Sequence, residues 1–285
     1  MKFNNSPIGI FDSGLGGLTV FKEIRKILPF EDLIYFGDTA RVPYGNKSKE
    51  TIIKYSLEIL EFLTGKGIKI AIVACNTSSS LALDCLRKKS VIPVFGVIEP
   101  GAKKAVEVSL NFSGRSSIAV IGTSATIKSG AYSNAITKAL KRLRKYDKTG
   151  FDEDLKIVEK ACPLFVSLVE EGFLNGEITK SVIKYYLTSV IKEKPSCLVL
   201  GCTHYPILKD LIEEEIGVDI RIIDSGVETA GAVKNYLEEY EMLKSGTNKG
   251  NEIFFVSDDT ERFRELGGKF LGKPIENVAI VDFIK

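Results

Sequence analysis

Two runs in this chain set a thiol immediately after an apolar segment of strand type. Ile70-Ala71-Ile72-Val73-Ala74 leads into Cys75-Asn76-Thr77-Ser78, and Leu198-Val199-Leu200-Gly201 leads into Cys202-Thr203-His204-Tyr205-Pro206. A thiolate takes a proton and a thiol gives one, so two such groups at comparable positions suit proton transfer at carbon. One base removes a proton from one face of a stereocentre while an acid delivers a proton to the other face, which inverts the centre. One cysteine must then be thiolate while its partner is thiol, and the pair titrates as a coupled unit. Asp12, one of Glu170 or Glu171, the single histidine His204 and many hydroxyls are available to assist.

Position separates these two cysteines from the others. Each ends a strand, where open α/β sheets place their ligands. Each also precedes a helix, Pro206 fitting the first turn of the second, and the positive end of a helix lowers a thiol pKa. Cys85 and Cys197 read as small buried hydrophobes, and Cys162, between Ala161 and Pro163, as structural. His204, two positions past Cys202, acts locally but is awkwardly placed as a triad base for that thiol, and no G-x-S-x-G elbow exists. A zinc site of Cys75, Cys202 and His204 lacks paired-ligand spacing, so no metal is expected. Gly14, Gly16 and Gly17 follow a strand and precede a helix, yet Thr19 stands where a dinucleotide fingerprint has glycine or alanine. Asp12 would moreover aim a carboxylate at the pyrophosphate. The N–H groups of that loop suit a small carboxylate instead.

The elements that must position these groups alternate as strand and helix. Ile8–Phe11 and Leu33–Phe36 read as strands, followed by a helix from about Ser48 to Thr64 with Ser48 as N-cap. The strand into Cys75 is followed by a helix from about Ser78 to Lys88, then by a strand Pro93–Ile98. From Ser117 the pattern begins again, with strands 117–122, 155–158 and the one into Cys202, and a long helix reaching about Lys145. Strands at 220–223 and 252–256 and a last helix complete the chain, with residues 244–251 as a loop prone to disorder. The fold class expected is α/β, in two similar doubly wound parallel-sheet domains related by a pseudo-twofold axis, with the active site in the cleft between them. The first comprises residues 1–97 plus 208–285 with Asp12 and Cys75. The second comprises 98–207 with Glu170, Cys202 and His204. The two cysteine strands thus read as the products of a degenerate internal duplication.

Composition closes off other classes. In 285 residues, 44% are apolar and 27% charged, which fits a globular enzyme of two domains. A formal charge of +2 gives no reason to expect nucleic acid, and the basic stretch Lys138, Lys141, Arg142, Arg144 and Lys145 reads as a solvated helix face. No apolar run approaches the roughly 18 residues that span a bilayer, and the N-terminus lacks a signal-type apolar region, so a cytoplasmic location is expected. The five cysteines are widely spaced, which speaks for free thiols.

The segments Gly9–Val20, Asp38–Gly45, Ala74–Ser78 and Gly201–Pro206 resemble those of the glutamate racemases. Gly96–Gly101 and Ala161–Val166 match as well, so the likeness runs from about residue 8 to the C-terminus. The cysteine motifs alone indicate the broader aspartate/glutamate racemase superfamily; the added loops point to the glutamate branch. The resemblance implies a cofactor-independent isomerase that supplies D-glutamate for peptidoglycan precursors, acting on the small molecule glutamate as a homodimer. It implies Cys75 as the base for the α-proton of D-glutamate, assisted by Asp12. Cys202 would serve L-glutamate, assisted by His204 and Glu170, the glutamate that directly follows Val166-Ser167-Leu168-Val169. Asp12, Ser13, Tyr44, Gly45, Asn76, Thr77, Thr123, Thr126, Thr203 and His204 would hold the carboxylates and amine of the substrate. An aspartate racemase, differing in pocket depth, and a non-catalytic amino-acid-binding protein are the alternative readings.

Overall fold

The computed structural model describes residues 3–112, 117–146 and 155–283. They form two compact units, one of residues 1–97 with 229–285 and one of 98–228. In the first, β1 (Ile8–Asp12), β2 (Leu33–Gly37), β3 (Ile70–Val73) and β4 (Val94–Gly96) join a six-stranded sheet. The second holds β5 (Ser117–Gly122), β6 (Lys156–Ala161), β7 (Cys197–Gly201) and β8 (Arg221–Asp224) in a four-stranded sheet. The chain then returns to the first sheet with β9 (Glu252–Val256) and β10 (Val278–Ile280). All pairings are parallel, and the interior strands β1, β3, β5 and β7 are buried along their whole length. Burial on both faces is what a parallel sheet covered by helices requires, and it explains why these strands read as unbroken apolar runs.

The two sheets share one plan. The first runs β10-β9-β2-β1-β3-β4 and the second β6-β5-β7-β8. In each, the first strand of the unit lies between its second and third. The chain reverses direction across the sheet at that point, which is where open α/β sheets place their ligands, at the carboxyl ends of the strands. Cys75 follows the third strand of its unit and Cys202 the third strand of the other.

Several boundaries depart from the sequence reading. Strand β8 pairs with β7, from Cys197↔Arg221 to Leu200↔Asp224, so residues 208–228 belong with the second unit and the return to the first comes at Thr229. The expected helix after Cys75 is two, Asn76–Leu81 and Leu83–Lys89, broken at Ala82. Ser48 does cap the helix Lys49–Gly65, accepting the Thr51 N–H at 3.3 Å. Residues 244–251 are tied at both ends: the Lys244 N–H donates to Glu31 at 2.7 Å and the Asn251 N–H to Asp32 at 2.7 Å. Lys138, Lys141 and Arg142 are exposed on the helix Ala131–Tyr146, while the side chains of Arg144 and Lys145 lie outside the described residues. Among the described residues no helix is long and apolar enough to cross a membrane.

Candidate active site

In the first unit the site grows from the ends of β1 and β3. The Ala74 N–H donates to the Phe11 carbonyl at 2.8 Å, which holds the two chains together one residue before Cys75 and Asp12. Asp12 is fully buried, and its Oδ2 accepts the Gly14 N–H at 2.9 Å. The Gly-rich loop is therefore wrapped around the protein's own carboxylate. Gly17 makes this possible, because a Cβ there would lie 2.4 Å from Asp12 Cβ and 2.9 Å from the Tyr35 hydroxyl. The Tyr35 hydroxyl in turn donates to the Gly14 carbonyl at 2.7 Å.

Cys75 occupies the N-cap position of Asn76–Leu81, is 5% exposed, and its thiol donates to Ser13 Oγ at 3.6 Å. Burial and the negative charge of Asp12 push the thiol up to about 11, against hydrogen bonds with Ser78 and Ser13 that act the other way. The depression expected from a helix N-terminus is thus reversed. One short helix turn is outweighed by desolvation and a neighbouring carboxylate. Asn76 and Thr77 form the first turn behind the thiol and are both buried.

Tyr44 and Gly45 lie on a short turn, Tyr44–Asn46, after β2. Asp38, fully buried just past β2, accepts the Tyr44 hydroxyl, the Ser257 hydroxyl at 2.8 Å and the Arg41 guanidinium at 2.7 Å. The same guanidinium pairs with Glu58 and lies 4.0 Å over the Tyr55 ring. Burial and the charge of Asp38 hold the Tyr44 phenol well above its ordinary range, so it stays a donor. Sequence reasoning gave Asp38 and Arg41 no role. The signal was a carboxylate one residue past the end of a strand adjacent to β1.

The second unit repeats the scheme with other groups. Thr123 follows β5 and caps the helix Ser124–Lys128, its hydroxyl 3.0 Å from that of Thr126. Cys202 and Thr203 follow β7 and are buried. The following Tyr205–Leu208 is a 3-10 turn with Pro206 in its first turn, and the α-helix begins only at Lys209. What stands beside Cys202 is therefore an imidazole rather than an α-helix N-terminus. His204 Nδ1 lies 3.9 Å from Cys202 Sγ, and Nε2 lies 3.1 Å from Glu170 Oε1. Burial works against the imidazolium, but hydrogen bonds to Cys202 and Glu170 outweigh it and push the pKa up to about 10. Glu170, the last residue of the helix Leu164–Glu170, is the glutamate that reaches His204, while Glu171 is exposed at the helix end.

Two clusters result, each at the carboxyl ends of the strands of its own sheet. One has a buried thiol beside a carboxylate, and the other a buried thiol beside an imidazolium–carboxylate pair. Among the described residues no three His, Cys, Asp or Glu side chains are grouped as a metal site would need.

Comparison with known proteins gives a consistent result. A family model described as Asp/Glu/Hydantoin racemase matches residues 8–233. A glutamate racemase of Geobacter metallireducens is 49% identical over 271 residues, 95% of this chain and 94% of that one. Among solved structures, a glutamate racemase of Francisella tularensis in complex with D-glutamate superposes with a TM-score of 0.86 at 37% identity, covering 98% of both chains. That of Bacillus anthracis gives 0.88 at 36% identity, again over 98% of both chains.

Proposed function

The chain belongs to the Asp/Glu/hydantoin racemase family, and within it to the glutamate racemases, and on that premise we propose that it interconverts L- and D-glutamate by a two-base proton transfer through Cys75 and Cys202. The observation that carries this reading is the repeated half-site: in each unit the third strand delivers a buried cysteine next to its own charged partner.

The two cysteines have unequal partners. Beside Asp12 and away from water, Cys75 is held as the thiol. The reaction from L-glutamate needs Cys202 as the thiolate, with the His204–Glu170 pair beside it. That state is ready for L-glutamate. Cys202 takes the α-proton, Cys75 gives its proton to the opposite face, and D-glutamate leaves a protein whose thiols have exchanged protonation. Reaction from D-glutamate runs the same steps in reverse. Each state is the product of the other.

The α-proton is weakly acidic, so charge building on the substrate carboxylate and α-carbon must be met by fixed donors. Ser13, Asn76 and Thr77 in one unit and Thr123, Thr126 and Thr203 in the other supply hydroxyls, an amide and N–H groups for this purpose. Tyr44 and Gly45 serve in the same way, with the Tyr44 phenol oriented by Asp38. No pyridoxal phosphate or metal enters the scheme. We read the product as D-glutamate for peptidoglycan precursors, made in the cytoplasm by a homodimer.

Incubation with L-glutamate in deuterated water tests the reading. Solvent deuterium should appear at the α-carbon of newly formed D-glutamate without added cofactor, followed by NMR and optical rotation. Unchanged L-glutamate would overturn it. L-aspartate in a parallel reaction should remain unchanged, and its racemisation in place of glutamate would move the chain to the aspartate branch.

A further inference from the structure

His204 and Glu170 reach each other from segments that follow two strands not adjacent in the sheet. Glu170 ends the helix that follows β6, and His204 follows β7, but the strand order is β6-β5-β7. Strand β5 lies between them, so β6 and β7 share no direct ladder of backbone hydrogen bonds, and past the strand ends no ladder continues. Cys162 is tied only as far as β5, its N–H donating to the Gly122 carbonyl at 2.9 Å.

Tyr205 spans the remaining gap. Its hydroxyl, on a fully buried side chain, donates to the Cys162 carbonyl at 2.8 Å, two residues before the Glu170 helix begins. Its ring meets that of Phe165, on the same helix, edge-on at a centroid distance of 5.1 Å. Phe165 in turn meets Tyr186 at 5.4 Å. Tyr205 thus grips the helix at its start and along its first turn, while its own backbone adjoins His204. Burial and the neighbouring Cys202 and Cys162 hold the phenol well above its ordinary range, so it remains a donor at every working pH.

We propose that Tyr205 is a positioning residue for the reaction: by holding the Cys162 carbonyl and Phe165 it fixes the Glu170 helix against the His204 turn, and so sets the carboxylate–imidazole pair beside Cys202. The role is indirect, since Tyr205 acts through Glu170 and His204. It rests on the two-base reading above for its catalytic meaning, though not for its geometry.

Tyr205→Phe keeps the ring and removes only the bridge. Because the chain has a single histidine, NMR titration of the untagged protein reports His204 alone. The groups facing that imidazole are Cys202 and Glu170, and a looser Glu170 lowers its pKa. Tyr205→Phe should shift the His204 midpoint down by about one pH unit, the scale of one weakened charge-assisted hydrogen bond. In the same variant kcat/KM should fall about tenfold, equally for both enantiomers, because their equilibrium constant is one. Phe165→Leu should move the midpoint in the same direction, and it serves alone if Tyr205→Phe does not fold. An unmoved His204 titration in a folded variant overturns the proposal, even if activity falls. A wild-type protein that fails to racemise glutamate overturns the functional reading instead, and the titration still tests the bridge.

Discussion

The Cys75 thiol donates to the Ser13 hydroxyl at 3.6 Å, linking the residue after β3 to the residue after β1. Replacing the sulfur therefore leaves a neighbour able to bond to a hydroxyl, and Cys75→Ser should fold like the wild type. Its racemisation should be nearly abolished, by at least about a thousandfold, because an alcohol is far too weak an acid to replace a thiol in general acid–base work. Cys202→Ser should behave alike. Polarimetry on each enantiomer checks this, and a variant with wild-type rate would overturn the two-base assignment.

Gly17 offers a test of the loop around Asp12. In Gly17→Ala the new methyl must displace Asp12 or Tyr35, since its ideal position is 2.4 Å from Asp12 Cβ. Overpacking of this kind costs about 1–3 kcal/mol. The expected outcome is a lower urea midpoint with unchanged slope, and a loss of activity larger than that of a distant variant of equal stability. A variant with wild-type stability would show that the loop yields freely.

Stability should fall at alkaline pH, for two reasons that act in the same direction. The imidazolium of His204 is favoured in the folded protein, its pKa raised from 6.5 to about 10. Its contribution is complete below the unfolded value and is lost as pH rises through the folded one. The Cys75 thiol is raised from 9.0 to about 11, so the folded state keeps a proton that the unfolded state gives up, and stability falls across that interval as well. Thermal midpoints measured from pH 7 to pH 10 should decline, and in His204→Gln the decline should be shallower. A flat wild-type profile would contradict the pairing of His204 with Glu170 and Cys202.

Away from the site, Lys69 and Glu31 form a buried ion pair at 2.6 Å, with side-chain exposures of 0% and 2%. The Lys69 ammonium also donates to the carbonyls of Asn4 and Met242, both at 2.8 Å. Lys69→Met leaves a buried carboxylate and two carbonyls without this donor, and should cost about 3–5 kcal/mol. Because the chain lacks tryptophan, circular dichroism is the measurement to use. A loss below about 1 kcal/mol would mean that Glu31 finds water or protonates at little cost.

The interior strands were legible because burial on both faces leaves no polar alternation, as in Ile70–Val73 and Cys197–Gly201. Both cysteines were legible for a related reason, since each interrupts such a run at the end where a parallel sheet opens. The strand Val278–Ile280 was not: its three residues are all apolar, but at the sheet edge they are too few to show a period. The helix break at Ala82 was hidden by a residue that tolerates a helix, whereas the break at Ser129 and Gly130, where Gly130 takes φ +64°, had its signal in that glycine. At the site, the chemistry of Cys75 could not be read from its position. Its thiol is governed by burial and by Asp12, brought close by the β1–β3 pairing, and no local spacing announces that contact. The partner of Tyr205 could not be read locally either, because its hydroxyl bonds the carbonyl of Cys162, 43 residues away in sequence.

The pairing of β2 with β9, Leu33 against Glu252, has a consequence for the order in which the protein is completed during synthesis. The four strands of the second unit have all been translated by Asp224. The first unit, begun first, must wait for residues 252–280 before its sheet gains β9 and β10. Until then β2 offers a bare edge whose natural partner is still unmade, the kind of exposed strand that nascent chains protect or lose to aggregation. On the ribosome the unit begun first is the one finished last.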